Sequence, residues 1–104
     1  MANYLLVYHG GGMPGTPEES AKVMKAWSDW FGTLGAAVVD GGNPVSQVKT
    51  IAANGSVSDG GVNPSSGYSV LKADSLDAAV AMAKGCPVLS GGASIEVAET
   101  FEAM

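Results

Sequence analysis

The side chain best suited to proton transfer near neutral pH is the single histidine of this 104-residue chain, His9. His9 ends one short apolar segment and Asp40 ends another, and the predicted strand order brings both to one edge of a sheet. Lys72 and Ser94 are expected at the same edge. Asp40 could there orient His9 and favour its charged form by proximity. The alternative is a loop-edge histidine bonded to backbone, with Asp40 opening the turn before Gly41.

Glu96 is a further acid–base candidate, because it lies between Ile95 and Val97 in the last predicted strand. Its carboxylate points either to solvent or into the interior, where loss of water favours the protonated form. An inward charge also protects an edge strand against pairing with another chain. The candidate catalytic residues are therefore His9, Asp40 and Glu96.

Aromatic side chains supply the candidate ligand contacts. Tyr8 and Tyr68 lie in predicted strands and could line a cavity with their hydroxyl groups, although aromatic residues in strands more often only pack. Trp27, Trp30 and Phe31 recur at helical spacing, which predicts a core stripe with one Trp edge reaching the pocket. The candidate ligand-binding residues are Tyr8, Tyr68 and Trp27.

No motif for a metal or a cofactor is present. One histidine and one cysteine show no ligand spacing, so we expect no metal site and no cofactor. Cys86 follows a predicted helix C-terminus, whose dipole makes it a poor nucleophile and favours a structural role. The glycine-rich loop of residues 10–15 matches neither a Walker A loop nor a full dinucleotide fingerprint, and favours a flexible connector over a phosphate site.

The composition is that of one small acidic domain, covering residues 1–104. Apolar residues make up 46%, and 5 basic against 10 acidic residues give a net charge of −5. All basic residues are lysines and none cluster, which argues against a nucleic-acid partner. No apolar run approaches the roughly 20 residues of a membrane span. Without a visible signal peptide, and with a single cysteine, we expect a cytoplasmic protein.

Hydrophobic periodicity and turn residues predict two helices among short strands. Thr16, Pro17 and Glu19 form a capping box at the start of the first helix, and Gly35 is expected to end it. Asn54-Gly55 is the strongest hairpin signal. The second helix is predicted to run from a cap at Asp74 or Ser75 to Lys84, followed by a left-handed Gly85. The predicted strands cover residues 3–9, 36–40, 45–52, 67–73 and 95–101, with a brief return strand at 57–58.

This β-α-β-β-α-β order predicts an α+β, ferredoxin-like fold with two helices on one face of a four-stranded antiparallel sheet. The first strand is apolar on both sides, with Leu6 on one and Leu5 and Val7 on the other. Leaving one side in water forfeits about 1.5–3 kcal/mol for each large side chain. We therefore expect a homodimer whose sheets pack face to face around a barrel-like core.

An ordered set of short motifs resembles the YCII-related family of dimeric α+β-barrel proteins, in its DGPF-like branch. The motifs are Tyr4-Leu5-Leu6-Val7-Tyr8, Trp27-Ser28-Asp29-Trp30-Phe31, Val39-Asp40-Gly41-Gly42-Asn43-Pro44, Gly67-Tyr68-Ser69-Val70, Gly85-Cys86-Pro87-Val88-Leu89 and Gly91-Gly92-Ala93-Ser94-Ile95-Glu96-Val97. The resemblance spans nearly the whole chain and implies a ferredoxin-like protomer that dimerises through its sheet.

Two departures from the family separate this chain from its relatives. The naming Asp-Gly-Pro-Phe segment is replaced by Asp59-Gly60-Gly61-Val62, and the first helix lacks the histidine expected there. The first hypothesis is a small-molecule-binding homodimer, as a cofactor-independent isomerase, lyase or monooxygenase-like enzyme with a His/carboxylate pocket. The alternative is a non-catalytic accessory or regulatory protein of the sigma-factor-associated type.

Overall fold

Two helices and six strands make up the regular structure in a computed structural model that describes residues 2–11, 15–61 and 63–103. Gly12, Met13 and Pro14 of the predicted connector, and Val62 of the Asp59-Gly60-Gly61-Val62 segment, lie outside these ranges. The elements are β1 (Ala2–His9), α1 (Pro17–Leu34), β2 (Val38–Asp40), β3 (Lys49–Ile51), β4 (Val57–Asp59), β5 (Ser65–Ala73), α2 (Leu76–Ala83) and β6 (Ser94–Glu99). Short 3-10 turns occupy Gly35–Ala37 and Pro87–Gly91.

The main sheet has four antiparallel strands in the order β2-β5-β1-β6. With two helices, this arrangement is α+β and compatible with the predicted ferredoxin-like fold. The described residues extend over 43 × 38 × 18 Å. Because helix and sheet layers pack about 10 Å apart, the short dimension corresponds to one helical layer on one sheet.

The first helix begins and ends where its capping residues predict. The Thr16 hydroxyl accepts a hydrogen bond from the Glu19 amide (3.1 Å), and the Glu19 carboxylate reaches back to accept one from the Gly15 amide (2.9 Å). These bonds satisfy backbone donors that the first turn leaves without partners. Gly35 ends the helix at φ +56°, in the region that favours glycine.

The second helix begins at a predicted cap but ends differently from its prediction. Of the two candidate caps, Ser75 is the one used, and its hydroxyl accepts a hydrogen bond from the Ala78 amide (3.1 Å). Lys84 ends it in a right-handed helical conformation, and Gly85 does not take the left-handed conformation predicted for it. The last turn instead tightens, with the Gly85 amide donating to the Met82 carbonyl (3.2 Å).

The core forms on one face of the sheet only. Tyr4, Leu6 and Tyr8 alternate along β1 as buried residues, and Leu71 of β5 packs with them. Leu5, on the opposite face, is only partly buried. Both helices pack on the Tyr4 face, so the opposite face of β1 is open in a single chain, as two helices on one side of the sheet predict.

Three predicted strands are shorter than their sequence patterns suggest. Residues 36 and 37, predicted to begin the second strand, belong to the 3-10 turn before β2. The segment of residues 45–52 pairs only at β3, which forms a separate hairpin with β4. The predicted turn is confirmed: Gly55, at φ +89°, donates its amide to the Ala52 carbonyl (2.8 Å). The last strand ends at Glu99, and Phe101, predicted within it, is 85% exposed.

Candidate functional site

A cavity of about 370 Å³ lies between α1 and the end of the sheet where β1 finishes and β5 begins. Tyr8, Trp27 and Tyr68, the three residues predicted from sequence to contact a ligand, all line it. Its volume falls in the range of about 300–1,000 Å³ that is typical of small-molecule sites. The remaining lining residues are Val23, Phe31, Gly41, Gly42, Asn43, Pro44, Ser66, Gly67 and Val88.

Aromatic rings form one wall of this aromatic cavity. Trp27 packs edge-on against Tyr8, with ring centroids 5.5 Å apart and planes at 70°. It also contacts Phe31 at 5.6 Å and Trp30 at 5.7 Å. Trp30 belongs to the core, where its indole N–H donates to the Met82 carbonyl (3.1 Å). The mutual contacts fix the ring orientations, so the wall is largely formed before any ligand arrives.

Glycines form the opposite wall and keep it close to the strands. A Cβ added at Gly42 would lie 1.7 Å from the Tyr68 carbonyl oxygen, and its φ is +75°. A Cβ at Gly67 would lie 3.2 Å from the Tyr8 ring. A Cβ at Gly41 would lie 3.5 Å from the Phe31 ring, in van der Waals contact with it. Glycine at these positions therefore lets the rim of the cavity approach β5 and the aromatic rings closely.

The polar groups inside the cavity are already paired. The Tyr8 hydroxyl donates to Ser69 Oγ (2.7 Å), which in turn donates to the Gly41 carbonyl (2.8 Å). Burial raises the pKa of Tyr8, so the phenol stays neutral at physiological pH. Since both hydroxyl protons are committed, this chain of bonds positions Tyr8 and β2 but offers no base.

The rim of the cavity carries the polar contacts available to a ligand. The Asn43 side-chain amide approaches the Tyr68 hydroxyl at 3.5 Å, and both groups are accessible to solvent. None of the residues that line the aromatic cavity is charged. This arrangement can bind a largely apolar molecule and orient it through one or two hydrogen bonds.

His9 and Glu96 meet on the other face of the sheet. The His9 side chain is only 12% exposed, and its Nε2 lies 2.8 Å from Glu96 Oε1. The Asn63 carbonyl oxygen accepts a hydrogen bond from Nδ1 (3.0 Å). Nε2 and Glu96 Oε1 are close to each other, but they are not aligned for a hydrogen bond.

Asp40 does not join His9, and the predicted grouping is wrong. Asp40 pairs with Val70 of β5, which pairs on its other side with Leu5. Leu5 precedes His9 by four residues, about 13 Å along the strand. Asp40 Oδ1 instead accepts a hydrogen bond from the Gly42 amide (2.9 Å), as in the alternative of a turn-opening aspartate.

Lys72 is also far from His9, because the two central strands β1 and β5 pair antiparallel. His9 at the end of β1 lies beside Ser65 at the start of β5, whereas Lys72 lies beside Asn3 at the far end. Only Ser94 is where it was expected, opposite His9 on β6. A grouping at the C-terminal ends of both central strands requires parallel strands.

The other residues with reactive side chains give no sign of a further site. Burial raises the pKa of the Cys86 thiol, which keeps it protonated and unreactive. Among the described residues, no three of the types His, Cys, Asp and Glu are grouped as metal ligands. No helix in the same part of the chain has the length and apolar character needed to cross a membrane.

Sequence reasoning missed several residues of the aromatic cavity. Phe31 was assigned to the core, and Gly41, Gly42 and Asn43 were interpreted only as a turn. The position of Gly67 in a predicted strand could have indicated the cavity, because a glycine within a strand often marks a place where another group approaches the backbone closely.

Comparisons of this chain with protein-family models, with curated proteins and with solved structures find no match.

The geometry gives a first prediction about His9. We expect His9→Ala to change the affinity for an uncharged aromatic probe by less than about twofold. The His9 side chain contacts Glu96 and Asn63, which do not line the aromatic cavity, and groups without shared contacts act independently. Fluorescence titration with phenylnaphthylamine measures this affinity. A large loss of binding would mean that His9 acts on the aromatic cavity through the sheet.

Proposed function

We propose that this protein is a homodimer that binds a small, flat and largely apolar molecule in the aromatic cavity. The observation that carries the proposal is a cavity of about 370 Å³ whose lining combines a preformed aromatic wall of Tyr8, Trp27 and Phe31 with several glycines. Ring stacking and burial of apolar surface would supply the affinity, at about 25 cal/mol for each Å² removed from water.

The uncovered face of the sheet supports the dimer. Leu5 lies between Val70 and Ala98 of the neighbouring strands on this face. Within the described part of the chain, both helices pack on the opposite face. Lys72 lies toward one end of the open face and Glu96 toward the other, so two copies with opposed strand directions bring unlike charges together.

The resemblance to the YCII-related family supports the same proposal. That family's sheet-to-sheet dimer would cover the open face and leave the aromatic cavity on the helical side of each protomer. The absence of charged side chains from the cavity lining favours a binding role there, as in an accessory or regulatory protein.

A second candidate is catalysis without a cofactor by His9 and Glu96. Their 2.8 Å contact on the open face favours it, because a dimer would enclose the pair between two sheets and remove it from water. An isomerase or lyase would then place its reaction between the sheets and away from the aromatic cavity. Asp40 has no part in this arrangement.

Filling the cavity tests the binding proposal. Gly41 has no positive φ, and a larger side chain there would extend toward Phe31. We expect Gly41→Leu to weaken binding of phenylnaphthylamine by about tenfold or more, since excluding about 60 Å² of ring surface forfeits ~1.5 kcal/mol. Fluorescence titration and the melting temperature should be measured together.

Gly32→Leu is the matched control, because Gly32 lies on α1 with nothing within 4 Å of an added Cβ. It should bind the probe like the parent protein and be at least as stable, given the better helix propensity of leucine. Equal binding by both variants would contradict the proposal, as would the absence of binding to the parent protein.

A further inference from the structure

A second cavity, of about 730 Å³, adjoins the aromatic cavity on the neighbouring face of α1, roughly 100° around the helix. Val23 lines both cavities, and the neighbours Val88 and Leu89 line the aromatic cavity and the second cavity respectively. Val23 and the 3-10 turn of Pro87–Gly91 therefore lie at the boundary between the two cavities. One elongated ligand could contact both.

The two cavities differ in charge. Lys22 and Lys84 line the second cavity, whereas the lining of the aromatic cavity has no charged residue. Asp29 also borders the second cavity, but its carboxylate contacts the Lys25 ammonium at 2.8 Å, which offsets its charge. The second cavity thus has a local excess of positive charge.

This excess stands out against the composition of the chain. Only 5 basic residues oppose 10 acidic ones. Lys25 and Lys49 each contact a carboxylate, at 2.8 and 2.6 Å. Within the described residues, Lys22 and Lys84 have no ion-pair partner, and both border one cavity. Two unpaired cations beside an apolar pocket in an acidic protein are suited to attracting an anionic ligand.

We propose that the two cavities form one site for an amphipathic organic anion. Its planar apolar body lies in the aromatic cavity, and its carboxylate, sulfonate or phosphate group extends past Val23 to Lys22 and Lys84. This assignment rests on the proposed function and adds the chemical class of the ligand. The lysines are solvent-exposed, so their attraction is screened by salt.

Two probes with one ring skeleton test the charge requirement. Anilinonaphthalene sulfonate carries the anion and phenylnaphthylamine lacks it. We expect Lys22→Gln and Lys84→Gln each to weaken binding of the sulfonate by about two- to fivefold, the effect of one exposed charge contact, and to leave the uncharged probe unchanged. Raising the salt concentration should weaken binding of the sulfonate probe and leave binding of the uncharged probe unchanged.

Lys49→Gln is the control, because it removes the same charge on the β3–β4 hairpin. It should leave the affinity for both probes as in the parent protein. Equal effects of all three substitutions on the sulfonate would overturn the inference, as would equal losses for both probes. If the uncharged probe binds but the sulfonate shows no lysine dependence, the inference alone fails. If neither probe binds the parent protein, the proposed function fails with it.

Discussion

Leu5→Glu is expected to dissociate the proposed dimer into monomers. Leu5 lies at the centre of the open face, with Val70 on one side and Ala98 on the other. A carboxylate there would remain hydrated in a monomer, because Leu5 is only partly buried in one chain. Two such carboxylates between packed sheets would lose their water without a partner, which costs several kcal/mol for each ion.

Light scattering coupled to size-exclusion chromatography measures this change at micromolar protein. The parent protein should show twice the mass of one chain, and the variant the mass of one chain. Met24→Glu is the matched control, since Met24 is 72% exposed on α1 and away from the open face. A monomeric parent protein would contradict the dimer, and so would a variant that stays dimeric.

Gly42→Ala is expected to destabilise the fold by about 2–5 kcal/mol. A left-handed conformation at a residue other than glycine costs about 1–2 kcal/mol, and forcing atoms into a packed region adds about 1–3 kcal/mol. Both costs apply here, because Gly42 has φ +75° and the new Cβ would overlap the Tyr68 carbonyl. Denaturation by urea measures the free energy of unfolding.

Gly92→Ala separates the two costs. Gly92 has φ +85°, but an added Cβ would have nothing within 4 Å. Gly92→Ala should therefore lower the free energy of unfolding only by the cost of the left-handed conformation, about 1–2 kcal/mol. Equal losses in the two variants would mean that the rim moves away from β5 without cost, and that the close approach of Gly42 to Tyr68 does not shape the cavity.

The elements that the sequence predicted well are those specified by neighbouring residues. Thr16 and Glu19 cap α1 through bonds that span three residues, and Gly55 closes a hairpin within four. Phe101 was assigned to a strand by alternation, yet β6 ends at Glu99 and leaves Phe101 exposed. Alternation alone does not show where pairing with β1 stops, because that end depends on a distant strand.

The candidate site was predictable only in part, for a related reason. Tyr8, Trp27 and Tyr68 were chosen as aromatic residues of the first strand, the first helix and the third strand of the predicted order, and these elements do meet. Asp40 was placed near His9 because both residues end strands that run in the same direction, but β2 ends level with Leu5, four residues before His9, and β5 lies between the two strands. Residue type is visible in a sequence, whereas register follows from the pairing of the whole sheet.

The catalytic candidates and the ligand-binding candidates therefore fall on opposite faces of the sheet. Tyr8 and His9 are neighbours in β1, and alternation along the strand directs one toward α1 and the other toward Glu96. A single pocket containing both was expected from the sequence. The structure instead has an apolar site on the helical face and the contact of His9 with Glu96 on the open face, and different experiments can address the two separately.

A crystal structure of the protein with bound phenylnaphthylamine would show whether the aromatic cavity is the binding site. We expect one probe in each protomer, packed against Trp27 and Phe31 and beside Gly41. Density for the probe elsewhere on the protein, with the space between Trp27 and Gly41 closed, would contradict this expectation.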